Sequence, residues 1–239
     1  SRGLGDVYKR QQNGKRIFFT KKKYEEREMH TFEEWKKKLI IVRGGGDIAT
    51  GTIYKLHQSR FPVLVLEIAN PSCIRRTISF CEAVFDKEVE VEGVIAKRAD
   101  SLREAFAIYE QGQIPVMIDE NGSTIETLHP PVVVDAILAK KNIGTKIIDA
   151  PAVIGVGPGF CAGKDVDAVI ETQRGHNLGR VIYEGEAAPN TGIPGRIAGY
   201  AKERVIHAPA AGNLHILKQI GEIAVSYTHL RAHETLRHL

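Results

Sequence analysis

Cysteine is scarce in this sequence. Cys73, Cys81 and Cys161 are the three cysteines among 239 residues, an odd number with no Cys-x-x-Cys pair. That excludes a disulfide framework and points to a reducing compartment, the cytoplasm. Long apolar runs are absent as well: none reaches the ~18 residues that a membrane helix needs. No apolar stretch follows the positive charges at the N-terminus, so a signal-peptide shape is missing. There is no internal repeat and no low-complexity segment.

The excess of positive charge is local. The formal net charge is +4. The first eleven residues, "SRGLGDVYKRQ", and the last fifteen, "VSYTHLRAHETLRHL", look like translated sequencing-adapter read-through, and they carry +2 and +1. Residues 12–28 carry +3, and "EERE" just before Met29 can be encoded by a purine-rich ribosome-binding site, so Met29 is the expected start. Residues 29–224 are then left with −2, which is no footprint for nucleic acid or a membrane surface. The expected domains are a foreign 1–11, a leader or extension over 12–37, an α/β domain over 38–203, the beginning of a truncated β-domain over 204–224, and a foreign 225–239. His229, His233 and His238 fall in the foreign end and form no metal cluster.

An α/β class follows from how apolar runs alternate with helical patterns. Leu39 to Val42 predict a buried strand, and residues 48–59 predict a helix with Ile48, Thr52, Ile53 and Leu56 on one face. Val63 to Ile68 predict a second strand. Strand, short loop, helix, strand is a βαβ unit with parallel pairing. A helical turn is expected over Ile78 to Phe85, a strand over 89–96, a helix over 101–111 with Ser101 as N-cap, and a strand over 114–119. Residues 132–139 read as strand, helix or a turn between them. Further strands are expected at 152–158, 168–172 and 179–187.

The loop between the first strand and helix is "RGGGDIA". Gly44, Gly46 and Ala49 fit G-x-G-x-x-A, the alanine form of the dinucleotide fingerprint: a tight turn, a close backbone approach to pyrophosphate, and close helix–strand packing. The helix N-terminus adds free N–H groups. The fingerprint also requires an acid about 20 residues on, for a ribose hydroxyl, and Glu67 stands 21 residues after Gly46. Asp47 argues against a simple pyrophosphate seat, because its carboxylate repels phosphate unless it binds a cation or caps the helix. Two readings stand, a nucleotide-like ligand or a bare turn.

The densest polar stretch is "GVGPGFCAGKDVDAVIETQRGHNLGR", 155–180. Gly157 and Gly159 belong to a second candidate anion loop. It is not a Walker A motif: Gly163 stands six positions after Gly157, one too many, and Asp165 replaces the Ser/Thr after Lys164. Glu171, Arg174, His176 and Arg180 could hold an anion through arginine forks and supply an acid and a base. Candidate catalytic groups are His176, Glu171 and Cys161, the last as a thiol between two glycines, Gly159 and Gly163. A metal reading over Asp165, Asp167, Glu171 and His176 lacks a His-x-x-x-His spacing, and no metal is expected. Cys73 and Cys81 read as core. Arg75 and Arg76 could grip phosphate or pair with Glu67 and Asp86.

"RGGGDIATG", "EIANPSCIRRTISFCEAV", "VDAILAKKNIGT", the 155–180 stretch and "GEAAPNTGIPG" together resemble the selenium-dependent molybdenum hydroxylase system proteins of the YqeB type. The resemblance runs from about Leu39 to Ile223. Asp167 stands where the family pattern has a histidine. "RVIHAPAAGNLHILKQIGEIA" resembles the start of a small lipoyl or barrel-sandwich β-domain. The resemblance implies a bacterial accessory role in maturing a molybdenum hydroxylase that needs labile selenium, a purine or xanthine hydroxylase being the expected partner. A molybdopterin-type cofactor or a dinucleotide is the implied ligand. The expected binding set is Gly44, Gly46, Asp47, Ala49, Glu67, Arg75, Arg76, Gly157, Gly159, Arg174 and Arg180. Two alternatives stay open: an NAD-dependent oxidoreductase, and a non-catalytic protein-interaction scaffold.

Overall fold

The computed structural model describes residues 31–192, 198–200, 210–212 and 220. The ends expected to be foreign, Met29 and nearly all of the expected β-domain lie outside the described residues. The chain divides into two compact units, the first ending at Asn190 and the second beginning at Thr191.

The first unit is built on a nine-stranded sheet. In chain order the elements are α1 (Phe32–Lys38), β1 (Ile40–Arg43), α2 (Asp47–Gln58), β2 (Val63–Glu67), two single 3-10 turns (Arg76–Ile78 and Phe80–Glu82), α3 (Ala83–Asp86), β3 (Glu88–Val91) and β4 (Val94–Ala99). There follow α4 (Leu102–Glu110), β5 (Ile114–Ile118), α5 (Ser123–Leu128), β6 (Val132–Asp135), β7 (Ala152–Val156), β8 (Cys161–Ala162), β9 (Ala168–Ile170), β10 (Val181–Ile182) and β11 (Gly185–Glu186). The spatial order of the large sheet is β10-β9-β7-β6-β1-β2-β5-β4-β3; β8 and β11 form a separate pair. All neighbours in the large sheet are parallel except β10 on β9 and β3 on β4, at its two edges. This is a Rossmann-like α/β sheet, as the βαβ pattern requires.

Central strands carry apolar residues on both faces because both faces are covered. Ile41, Leu64, Val133 and Val153 point to one side, where Trp35 of α1, Ala105 and Ile108 of α4 and Ile125 and Leu128 of α5 bury them. Ile40, Val42, Val65 and Val116 point to the other, beneath Ala49 and Ile53 of α2, Phe80 and Val84.

Several local expectations are refined. The strand expected over 89–96 is a hairpin, because Glu92 and Gly93 both have positive φ and turn the chain between β3 and β4. The expected helix near 78–85 is two 3-10 turns and a single α-turn. The expected strand over 179–187 divides into β10 and β11 at positive-φ Gly185. The sequence reading assigned no helix to 32–38, yet Thr31 and Glu34 close a full capping box there and Trp35 is buried. Ser101 caps α4 as expected, accepting from Glu104 N.

Candidate functional site

The chain leaves β1 toward β2 on one side and later returns to β6 on the other. The carboxyl ends of β1 and β6 therefore splay where the strand order reverses, the position at which open α/β sheets bind ligands. A crevice of about 130 Å³ lies there. Its lining comes from the ends of β1 and β2 and from the segments that follow β1, β2, β5 and β6: Arg43, Gly44, Gly46, Glu67, Asp119 and Glu120 carry its polar character, with Leu66, Ile68, Pro71 and Ile137 among the apolar walls.

Gly44 is required by the turn. Its φ is +90°, and a Cβ there would sit 2.9 Å from Ile137 Cα. Gly45 approaches the second wall: its carbonyl accepts from Cys81 N at 2.8 Å and Thr50 Oγ1 at 3.1 Å. Gly46 is the N-cap of α2, with open space where a side chain would stand. Asp47 begins α2 and pairs with Arg75. Ala49 is fully buried, the close helix–sheet contact that the fingerprint's third small residue provides.

Glu67 sits at the end of β2, but its oxygens face the loop. Oε1 accepts from Gly45 N at 2.9 Å and Oε2 from Ile68 N at 2.8 Å. Burial pushes its carboxyl up from the usual value, against the pull of those two N–H groups. The Gly45 amide is thus already occupied by a carboxylate. Asp119 directly follows β5 and accepts from the first-turn N–H groups of α5, Thr124 N at 2.7 Å and Ser123 N at 3.1 Å. Burial raises its carboxyl, but the bonds from Thr124 and Ser123 outweigh burial and hold it below the usual range. Glu120 accepts from Ala69 N at 3.3 Å.

Arg43 supplies the positive charge, and that charge is already matched. Its Nη1 lies 3.5 Å from Asp135 Oδ2, and Thr145 Oγ1 accepts from it and donates to Asp135, both at 2.5 Å. Asn142 holds Thr145 in place through bonds to its backbone N and O. With Arg43 neutralised, the carboxylates of Glu67, Asp119 and Glu120 make the crevice acidic. It is matched to hydroxyl and N–H donors rather than to a bare phosphate.

Among the sequence-derived candidates, Gly44, Gly46 and Glu67 line the crevice. Arg76 instead grips Glu82 through Nε at 2.9 Å and Nη2 at 2.7 Å. Gly157 N donates to Ile170 O at 2.8 Å, and a Cβ on Gly159 would meet the Lys141 backbone at 2.6 Å; both glycines serve close packing of that loop. Glu171 is buried. Burial raises its carboxyl, and the N–H groups of Ala188, Gln173 and Thr172 together pull it below the usual range. Its place is that of a loop organiser. Arg174, His176 and Arg180 are exposed on the neighbouring turn, and Cys161 is half-buried on β8. None of these lines the crevice. Among the described residues no group of three His, Cys, Asp or Glu is placed to hold a metal ion, and no helix is long and apolar enough to cross a membrane.

Sequence reasoning missed Arg43, Asp119, Glu120 and Asp135. The signal was present: Arg43, Glu67 and Asp135 are the charged last residues of apolar parallel strands, and Asp119 directly follows β5. Cys81 was read as core and is buried, but it also lines the crevice; Cys73, read the same way, is only half-buried.

Comparison with curated proteins finds the uncharacterized protein YqeB of Escherichia coli (strain K12), 51% identical over 185 residues, which are 77% of this chain and 34% of that protein. The chain spans about a third of the length of that relative. No family model matches. No solved structure matches.

Proposed function

We propose, from the premise that this chain belongs to the YqeB family, that it is an accessory protein of a selenium-dependent molybdenum hydroxylase. In this reading it binds a molybdopterin-type or nucleotide-containing cofactor at the switch-point crevice and passes it to the hydroxylase, a purine or xanthine hydroxylase in type. The supporting observation is the acid-lined crevice beside the Gly44–Gly46 turn.

The residues fit one end of such a cofactor. A pterin ring offers amino and ring N–H donors, and a ribose offers hydroxyls; the lone pairs that Glu67, Asp119 and Glu120 keep beyond their internal bonds are the acceptors for either. A volume of about 130 Å³ admits one such group and not a whole dinucleotide. The phosphates would then lie outside the crevice, toward the open N-terminus of α2 at Gly46. Bound there, the cofactor would supply the molybdenum-binding or nucleotide group to be delivered; this chain's part is to orient it.

Mass spectrometry of small molecules released from the purified protein tests this reading. A pterin or cytidine nucleotide is expected. Added at 100 times its dissociation constant, the ligand stabilises the fold by ~2.7 kcal/mol, which a melting curve registers. Glu67→Ala is expected to abolish that shift. An empty protein with no shift overturns the reading and favours a scaffold. NAD release moves it toward the oxidoreductase, which the position of Glu67 at the end of β2 also accommodates.

A further inference from the structure

Among the described residues, Arg43 is the cation that lines the crevice. Side chains alternate along β1, so Arg43 leaves the strand on the same side as Ile41, the side that α4 and α5 cover. Its register partners are Leu66 of β2 and Asp135 of β6. Leu66 packs on that same side and also lines the crevice. The Arg43 side chain is 6% exposed, and Nη1 alone is engaged: it donates to Thr145 Oγ1 and lies 3.5 Å from Asp135 Oδ2. Among the described residues, nothing accepts from Nε or Nη2. Neither nitrogen is sealed from open space, as the partnerless Trp35 Nε1 is. Gly122 leaves the Nε edge bare, since a Cβ there would stand 3.7 Å from that nitrogen. Nε and Nη2 share one edge of the guanidinium, and their N–H bonds run side by side. The ion pair with Asp135 therefore matches the charge of Arg43 and leaves a two-donor fork free.

We infer, on the cofactor reading above, that this fork is a specificity determinant and that the group it selects is an amino-oxo ring of the pterin or guanine type. Such a ring has two unlike edges. On one, the carbonyl oxygen and a neighbouring ring nitrogen (N5 of a pterin, N7 of a guanine) form a pair of acceptors, which an arginine fork meets with both donors. On the other, a ring N–H and the exocyclic amine form a pair of donors, which a carboxylate meets. Glu120 is the carboxylate with most to offer: Oε1 accepts from Ala69 N at 3.3 Å, and Oε2 takes no bond among the described residues. Glu67 and Asp119 keep the lone pairs that their backbone bonds leave.

The other groups of such a cofactor match the crevice less well. A phosphate satisfies the fork but brings its charge beside Glu67, Asp119 and Glu120. A cytosine has no N–H beside its carbonyl, and a ribose has no planar pair of acceptors. A neutral ring with acceptors on one edge and donors on another satisfies both the guanidinium and the carboxylates. The ring then enters the crevice, and sugar and phosphates stay outside.

Changing ligand atoms tests this without disturbing the fold. The full chain is dialysed to equilibrium at neutral pH against pterin, 2,4-diaminopteridine, guanosine and 2,6-diaminopurine riboside. In each pair the second probe carries an amine where the first has its carbonyl, and it lacks the N–H on the adjoining ring nitrogen. Pterin is expected to bind at least ~10-fold more tightly than 2,4-diaminopteridine, the loss that follows when a hydrogen bond to a charged group is removed. Guanosine is expected to show the same preference over its partner, and whichever of pterin and guanosine binds more tightly names the ring. Arg43→Met combined with Asp135→Leu leaves no unpaired charge and is expected to lose the preference in both pairs; if that variant fails to fold, the pairs measured on the natural chain still decide. Binding of 2,4-diaminopteridine as tightly as pterin, a preference kept in the double variant, or displacement of pterin by inorganic pyrophosphate overturns the inference. If none of the four probes binds but the purified protein still releases a pterin or a nucleotide, the specificity of Arg43 is overturned alone; an empty protein overturns the cofactor reading as well.

Discussion

Arg43 is a guanidinium at the end of a fully buried strand, and its stability role is separate from any ligand. Its partner Asp135 is almost wholly buried, so removing Arg43 strands a carboxylate in a low-dielectric site. Arg43→Ala is expected to cost ~3–5 kcal/mol in urea denaturation. Arg43→Met combined with Asp135→Leu is expected to recover much of that loss, because no uncompensated charge is left; a double variant as unstable as Arg43→Ala would show that the loop around Thr145, not the charge, carries the cost. Glu67 and Glu171 act through pH with opposite signs. Glu171 lies below its ordinary value of 4.5 in the folded chain. Its contribution is therefore present above pH 4.5 and is lost as pH falls through the lowered folded value. Glu67 lies above 4.5, so its contribution is present below pH 4.5 and is lost as pH rises through the raised value. Glu171→Gln is expected to flatten the acid limb of a stability–pH curve. Glu67→Gln is expected to steepen the net loss on acidification, since it removes a group that gains. Equal limbs in all three proteins would refute both assignments.

At the scale of elements, the β1–α2 turn separates what folding needs from what binding needs. Gly44 has a left-handed φ and a backbone neighbour at 2.9 Å, so Gly44→Ala is expected to destabilise by more than ~1 kcal/mol. Gly46 has an ordinary φ of −65° and open space around it, at the N-cap of a helix with no side-chain cap. Gly46→Ser supplies a capping hydroxyl and is expected to hold or raise the melting temperature within a few tenths of a kcal/mol. It also puts a side chain into the crevice, so ligand binding is expected to fall. Retained binding with retained stability would reduce the turn to a connector. The βαβ unit was legible because Leu39 to Val42 and Val63 to Leu66 are unbroken apolar runs and α2 has a clear face. The β3–β4 hairpin was not, because Val89 and Val91 are followed after two residues by Val94, Ile95 and Ala96, so the apolar pattern reads as one strand, although the inward positions change from odd to even numbers across Glu92-Gly93. Of the site, the glycine turn and Glu67 were visible as a spacing. Glu67's bond to Gly45 was not, since no spacing says whether a carboxylate turns outward to a sugar or inward to an amide. In the 155–180 stretch composition shows glycines but not their contacts: Gly155, Gly157 and Gly159 stand against Phe160, Leu138 and Lys141, whose closeness is a tertiary fact.

For the whole molecule, the sheet-bearing unit ends at Asn190, and the bonds near that end indicate how much chain it needs. Ala187 is buried in the core on the β6–β7 side, and Ala188 N donates to buried Glu171 at 2.8 Å. A chain ended after Asn190 is therefore expected to unfold cooperatively at nearly the same urea concentration as the full chain when the loss of the sheet unit is followed through Trp35 fluorescence. A chain ended after Glu186 keeps β11 but loses Ala187 from the core and leaves one Glu171 oxygen without its donor. It is expected to lose ~1–3 kcal/mol, the cost of an unsatisfied buried acceptor. Its loss should also diminish toward acid pH, where Glu171 becomes neutral. If both shortened chains unfold together, well below the full chain, then residues after Asn190 contribute to the sheet unit. If both match the full chain, the Ala188–Glu171 bond carries no weight in stability, and the lowered Glu171 carboxyl must be held by Gln173 and Thr172 alone.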